Sequence, residues 1–473
     1  AALEIDATGM VVAPGFIDVH THSENVAELP LAENFLRMGV TTIVTGNCGT
    51  SKTDVEAFFR DITEAKVALN VATLIGHNSV RQKAMGGSFL RPPSPEQMDE
   101  MKAMVDKAMR DGAVGLSTGL IYLPGTFAKT EEIIELAKVA SAHGGIYASH
   151  MRSETHKIFG AIEELLRIAK EADIPAELSH IKLSGPSAWG KAKEVLDTLD
   201  KARAGGLRIT HDQYVYTASS TSLGQLIPDT AREGGRDAFA KRLNDPAEKA
   251  KIVEGMKTIL SNSKRDSYEY AVIAQCRARP EWNGKSVPEV ARLAKGGDAL
   301  DLQIELILEI ERDGGASAVF HGMNEEDLRI FLQHPHTMIA SDGNPRKFGD
   351  AVPHPRSYGN NARLLARYVR DEKLLTLEEG IRRMTSLPAQ TFQLKDRGVL
   401  KPGAWADLVV FNPETVQDCA TWEEPTLPSQ GVQTVFVNGV QVHPVAPEQR
   451  PGQVLDRAFA AQAQSLDAPI IPL

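Results

Sequence analysis

Cysteine is scarce in this chain of 473 residues. Cys48, Cys276 and Cys419 are too few and too scattered to form a disulfide framework. No run of 18 apolar residues exists to span a membrane, although 42% of the residues are hydrophobic, as in an ordinary globular enzyme. Basic charge is also short: the formal net charge of −10 argues against nucleic acid or an anionic membrane surface as partner. No secretory leader precedes the first apolar run, and the chain does not open on Met; a trimmed terminus would remove that evidence. Repeats and low-complexity tracts are missing. A soluble, cytoplasmic protein is the default.

What is present begins at Pro14-Gly15-Phe16-Ile17-Asp18-Val19-His20-Thr21-His22. An apolar run ends in two histidines one residue apart. Residues i and i+2 of a strand share a face, so His20 and His22 can offer their imidazoles side by side to a divalent metal. A bare pair of this kind is as often two solvated histidines at a strand end.

From residue 17 to about 342, apolar β-branched runs alternate with helical patterns, which predicts a parallel sheet. Strands are expected to end near His22, Cys48, His77, Thr118, His150, His180, Asp212 and Asp342. Eight such ends make a closed (β/α)₈ barrel the economical α/β fold, with chemistry at the C-terminal rim. Ser94 with Pro95 and Gln97 reads as a capping box, as does Thr376 with Glu379, while Thr130 opens and Gly144 closes another helix. Residues 225 to about 320 break the alternation, with two or three helices and little strand signal, and read as a lid or cap. Beyond the barrel, Leu408 to Phe411 and Val435 to Val440 are short apolar runs bounded by turn residues.

Several polar residues fall at the predicted rim. Cys48 is bracketed by Gly46 and Gly49; a lone buried cysteine is usually a small apolar filler, but at a rim it can reach a zinc. His150 and His180 each close a strand, as does Asp342. Their joint placement with His20 and His22 is hard to ascribe to coincidence. His77, His211 and His321 are expected to be structural.

The motifs PGFIDVHTH, GNCG, STGLIY, SHMRSE, SHIK and HPRSYG, with GVLKPGAWADLVVF near the C-terminus, together resemble the amidohydrolase superfamily and, within it, the D-aminoacylases, which deacylate N-acyl-D-amino acids. The resemblance covers residues 10 to 440. It implies a metal-dependent TIM barrel with a small β-sandwich domain formed by the chain termini. The implied division is a remnant of the sandwich at 1–13, the barrel at 14–395 with its insertion, the sandwich at 396–445 and a tail at 446–473. Because the first motif comes so early, the other N-terminal sandwich strands are expected to be missing or trimmed.

The resemblance also implies a site. Most binuclear amidohydrolases bridge two metals with a lysine on the fourth strand, and Gly112 to Tyr122 contains none. In D-aminoacylases a cysteine bridges instead, so Cys48, His150 and His180 would hold a tight Zn²⁺, and His20 and His22, sharing Cys48, a weaker second one. Asp342 would be the general base, with a purely ligating role as the alternative. Lys182 and Arg356 would hold the substrate's α-carboxylate, and Tyr122 and Tyr214 would line the pocket, rim packing being nearly as good an account of each tyrosine. No arginine or lysine stands between Thr221 and Pro228, which points to neutral or apolar amino-acid side chains. The competing readings are a cyclic-amide hydrolase of the dihydroorotase or hydantoinase kind and a non-catalytic scaffold.

Overall fold

The structure is a computed structural model and describes residues 4–87, 89–444 and 446–456. Its centre is a closed ring of parallel strands. β2 (Phe16–Asp18), β3 (Val40–Thr45) and β4 (Asn70–Thr73) pair in that order, and β5 (Ile75–Gly76) continues β4 after a break at Leu74. β6 (Gly115–Gly119), β7 (Ile146–His150), β8 (Ala176–Leu178), β9 (Ile209–Gln213) and β13 (Thr337–Ile339) complete the run from β5. The ring closes where Thr21 bridges Gly343 in parallel and Asp342 N–H donates to the His20 carbonyl at 2.9 Å. The Asp18 carboxylate staples the same seam by accepting from Ser341 N–H at 3.0 Å. Counting β4 and β5 as one strand, this is the eight-stranded barrel of the α/β fold class, with the helices outside.

The strand period of two explains the core. Outward residues such as Phe16, Ile43, Val71, Leu116, Ala176, Leu178 and Ile209 pack into the main cluster with the surrounding helices. Inward residues Ile17, Val19, Val44, Ala72, Leu74, Val114, Ile146, Ala148, Met338 and Ala340 form a second cluster that fills the barrel. β8 and β9 contribute nothing to that inner cluster; by alternation their inward positions carry Glu177 and Asp212, both buried. The barrel is therefore apolar below and carboxylate-bearing on one wall.

A small domain built from both ends of the chain flanks the barrel. β1 (Val11–Pro14), β14 (Leu408–Phe411), β15 (Val432–Val437) and β16 (Val440–His443) form an antiparallel sheet in that order. Phe411 meets Phe16 at 6.2 Å between ring centres, and buried Asp407 accepts from Asn70 and pairs with Arg397. The segment 446–456 runs beside the third barrel strand, Val454 bridging Val71. The rest of the expected tail, 457–473, lies outside the described residues.

The insertion carries more structure than its sequence suggests. β10 (Ser219–Ser222), β11 (Ala271–Gln275) and β12 (Ser317–Phe320) make a three-stranded antiparallel sheet, with helices at 235–244, 246–262, 287–295 and 300–312 around it. They share a separate hydrophobic core that includes Leu223, Phe239, Met256, Ile273, Ile304, Ile307 and Phe320. Two caps also differ from the sequence reading. Thr130 lies inside its helix, N-capped at Lys129, and its hydroxyl donates to Glu164 at 2.8 Å. Thr376 accepts from Glu379 N–H, but the Glu379 carboxylate turns to Arg382 and Arg383 rather than closing the box. Ser94 and Gln97 form the full reciprocal box.

Candidate metal centre

The C-terminal ends of the strands converge on Cys48. Its turn, Gly46-Asn47-Cys48-Gly49, doubles back under tight packing: a Cβ at Gly46 would stand 2.2 Å from the Leu74 carbonyl oxygen, and one at Gly49 2.3 Å from Asn78 Oδ1. Both glycines also have φ in the left-handed region, at 78° and 76°. Cys48, His180 and Asp342 share that region, with φ of 52°, 38° and 51°. Three non-glycine residues in a costly conformation at one rim are typical of a site whose surroundings over-determine it.

Cys48 Sγ lies 3.3 Å from His20 Nε2, 3.5 Å from His180 Nε2 and 3.6 Å from His150 Nδ1. His22 Nε2 approaches Asp342 Oδ1 at 3.2 Å, and His20 Nε2 lies 3.7 Å from the same oxygen. The structure thus brings together all five histidine and cysteine candidates with Asp342. His20, Cys48 and His180 present ligand atoms within 4.8 Å of one another, and so do His20, His22 and Asp342. His20 stands in both groups, whereas sequence spacing alone pairs it with His22.

The donors suit a borderline-soft divalent cation. One sulfur and several imidazole nitrogens favour zinc over magnesium or calcium. His150 Nε2 is buried without a hydrogen-bond partner. Burial pushes the pKa of His150 and His180 well down, so both rings are neutral and can ligate. Burial and the Asp342 charge push the Cys48 thiol well up, and a cation among these nitrogens is what would hold it as thiolate.

Asp342 is ionised. Burial works to raise its pKa, but the Arg356 charge and the hydrogen bond with His22 hold it well below the carboxylate range. Arg356 Nη1 lies 2.8 Å from Asp342 Oδ2, and its guanidinium sits 4.7 Å above the ring centre of buried Tyr214. Lys182 Nζ is 5.8 Å from the same ring. Tyr122 packs 4.9 Å from the His150 ring and its hydroxyl accepts from Thr221 Oγ1 at 3.2 Å. A cavity of about 790 Å³ opens over Cys48, His150, His180, Lys182, Tyr122 and Asp342.

Other residues have a place the sequence did not disclose. Asp212 Oδ2 lies 3.2 Å from His20 Nδ1, and its other oxygen accepts from His180 N–H at 3.0 Å. Glu154 Oε1 lies 3.1 Å from His180 Nδ1 and 3.7 Å from His150 Nε2. The only signal for either was the general habit of ligating histidines to bond a carboxylate through the second nitrogen. His77 turns outward to Glu132 at 2.8 Å, a carboxylate that also takes Arg81, and so belongs to the helix layer. His211 is likewise outward, against Thr337 at 2.8 Å.

Comparison with known proteins identifies the family. A model of the amidohydrolase family matches residues 3–443. The chain is 36% identical to an N-acyl-D-glutamate deacylase of Alcaligenes xylosoxydans xylosoxydans, over 96% of this chain and 88% of that protein. It is also 36% identical to a D-aminoacylase of the same organism, over 97% and 90%. A crystal structure of an N-acyl-D-glutamate deacylase from Bordetella bronchiseptica, complexed with zinc and a phosphonate mimic of the tetrahedral intermediate, superposes with a TM-score of 0.82 at 36% identity, covering 95% of this chain and 90% of that one. A cysteine at the centre of the histidine cluster, an ionised aspartate at the end of the eighth strand and these full-length matches lead to one statement of kinship: the chain belongs to the amidohydrolase family, in its D-aminoacylase branch.

Proposed function

We propose that this chain is a zinc-dependent deacylase that hydrolyses the amide bond of N-acyl-D-amino acids, releasing a carboxylate and a free D-amino acid. The observation that carries the reading is Cys48 at the junction of His20, His150 and His180, with Asp342 facing the same cluster. The full-length relatives that act on N-acyl-D-glutamate, and the zinc in the superposed deacylase, support the substrate class, its chirality and the metal. Cys48, His150 and His180 would hold the tighter zinc, with His20 alongside, and His20 and His22 with Asp342 a weaker second one.

Zinc, when bound, supplies Lewis acidity for the acyl carbonyl and makes water a better nucleophile. The chain's own residues do the rest. Asp342 accepts a proton from the attacking water and passes it to the departing amine nitrogen. Arg356 and Lys182 hold the α-carboxylate, the arginine as a bidentate fork. The Tyr122 hydroxyl donates to the developing oxyanion, and Tyr214 floors the site beneath both cations. The insertion roofs the cavity. Enzyme, metal and a small-molecule substrate suffice for this chemistry, and a cytoplasmic location is part of the proposal. Among the described residues no helix is long and apolar enough to cross a membrane.

Against a cyclic-amide hydrolase stands β6, whose Gly-Leu-Ser-Thr-Gly offers no lysine to bridge two metals. The test is metal analysis together with release of free amine from N-acetyl and N-formyl D- and L-amino acids. About one tightly held zinc per chain and turnover of D-substrates alone support the deacylase. Turnover of dihydroorotate or hydantoins, or a chain that holds no metal and releases no amine, overturns it.

A further inference from the structure

We infer that Glu154 is the positioning residue that fixes both the metal-binding tautomer of His180 and the place of Lys182. This rests on the zinc reading above and extends it to a residue outside the expected ligand and substrate sets.

The argument is one of proton accounting. His180 Nε2 faces Cys48 Sγ at 3.5 Å, so that nitrogen must carry the lone pair if the ring is to ligate. Its Nδ1 must then carry the hydrogen and donate it to an acceptor. Two groups stand at Nδ1: Lys182 Nζ at 2.7 Å and Glu154 Oε1 at 3.1 Å. The ammonium has three donors and nothing to accept with. Were it to donate to Nδ1, the hydrogen would sit on Nε2 and point at Cys48, and the ring could not hold a metal. Only the Glu154 carboxylate accepts. By pairing with Lys182 through the same oxygen, it also gives the ammonium a better acceptor than the imidazole.

The geometry supports a built arrangement rather than a chance contact. The Glu154 and Lys182 side chains are 12% and 3% exposed. The Glu154 carbonyl accepts from Ser184 N–H at 2.8 Å, and two residues earlier Arg152 is held by the carbonyls of Thr126 and Ala128 and by Glu164. The loop after β7 is therefore pinned on both sides of the carboxylate. His150 Nε2 lies 3.7 Å from the same oxygen, beyond hydrogen-bond distance. On the other flank Asp212 does the corresponding task for His20, whose Nδ1 it engages so that Nε2 faces Cys48.

The test compares zinc affinity of the wild-type chain, Glu154→Gln and Lys182→Met, by titrating the metal-stripped proteins with zinc against a chromophoric chelator, beside kcat and KM. Glu154→Gln keeps the size and loses the charge. It should bind zinc about 10–100-fold more weakly, the usual effect of losing a carboxylate behind a ligating histidine, and its KM should rise as Lys182 loses its place. Lys182→Met should raise KM while its zinc affinity stays within a few-fold of wild type. Equal zinc affinity in Glu154→Gln and wild type overturns the inference, as does a Lys182→Met variant that loses zinc as severely as Glu154→Gln. A wild-type chain that binds no zinc sinks the deacylase reading itself, which keeps the two failures apart. Circular dichroism of the metal-stripped variants, matched to wild type, separates a lost ligand from a lost fold.

Discussion

Arg356 and Asp342 form a buried ion pair at the barrel mouth, Nη1 to Oδ2 2.8 Å, with side chains 5% and 8% exposed. The pair ties the group proposed to move the proton to the group proposed to hold the substrate. Asp342→Asn should therefore lower kcat by about 10²–10⁴-fold, the usual worth of a general base, while substrate still binds, since Arg356 keeps its charge. Arg356→Lys should leave a working base and raise KM by about 10–100-fold, the cost of one charge-assisted hydrogen bond. Steady-state kinetics on an N-acetyl-D-amino acid separate the two. A kcat for Asp342→Asn within about tenfold of wild type, far short of that loss, would hand the base to another residue.

The two histidines of the first motif should behave differently. His20 is fully buried between Cys48 and Asp342, whereas the His22 side chain is 37% exposed and meets Asp342 at the rim. His20→Asn should weaken the tight zinc site as well as activity. His22→Asn should lower activity with the tight zinc retained. Cys48→Ala should lose both zinc and activity with the barrel intact. Metal analysis after dialysis decides: equal zinc content in the two histidine variants would show that the sites are not divided in this way.

The barrel mouth was legible because its residues end β-branched runs, and a strand end is a local property. That is why His20, His22, Cys48, His150, His180 and Asp342 stand out in one dimension. Glu154 does not, and Asp212, although a legible strand end, carries no sign of its role, because what matters about both is the nitrogen they face, and that is set by how β7, β8 and β9 lie together. The insertion was read as helical because β11 and β12 are short and are joined to each other and to β10 across long stretches of helix. Thr130 shows the same limit on a smaller scale: its hydroxyl fits a cap, but Glu164 from the next helix offers the better partner.

Where barrel and small domain meet, stability should hinge on Asp407. Its carboxylate accepts from Asn70 Nδ2 at 3.2 Å and from Asn438 N–H at 2.8 Å, and it pairs with Arg397, all in buried or half-buried surroundings. Asp407→Ala leaves the Arg397 charge without its ion partner. Breaking one side of a buried pair costs about 3–5 kcal/mol. A lower denaturant midpoint should show it, with zinc content unchanged in the folded fraction. A midpoint equal to wild type would mean that water replaces the carboxylate at this seam.

Substrate choice should follow the cavity wall. The insertion lines the cavity with Leu226, Ile227, Pro228, Ile259, Tyr270 and Phe320. Two cations reach the same space: Arg152 is paired with Glu164, and Lys182, beside Glu154, is assigned to the α-carboxylate, so neither is left over for a side-chain carboxylate. Glu24 adds negative charge to the lining, while Asp229 is paired with Arg232. A carboxylate side chain on the substrate would there meet apolar surface and like charge, whereas leucine, methionine or phenylalanine would be desolvated favourably, at about 25 cal/mol per Å² of apolar surface. N-acetyl-D-leucine and N-acetyl-D-phenylalanine should therefore exceed N-acetyl-D-glutamate in kcat/KM, although an N-acyl-D-glutamate deacylase is among the relatives at 36% identity. Leu226→Arg should shift the ratio toward the acidic substrate by placing a cation on the wall. A wild-type preference for glutamate would point instead to the smaller cavity on the other side of Asp342, where Arg346 stands with Arg356 and His22. In that case Arg346→Met, not Leu226→Arg, would change the ratio.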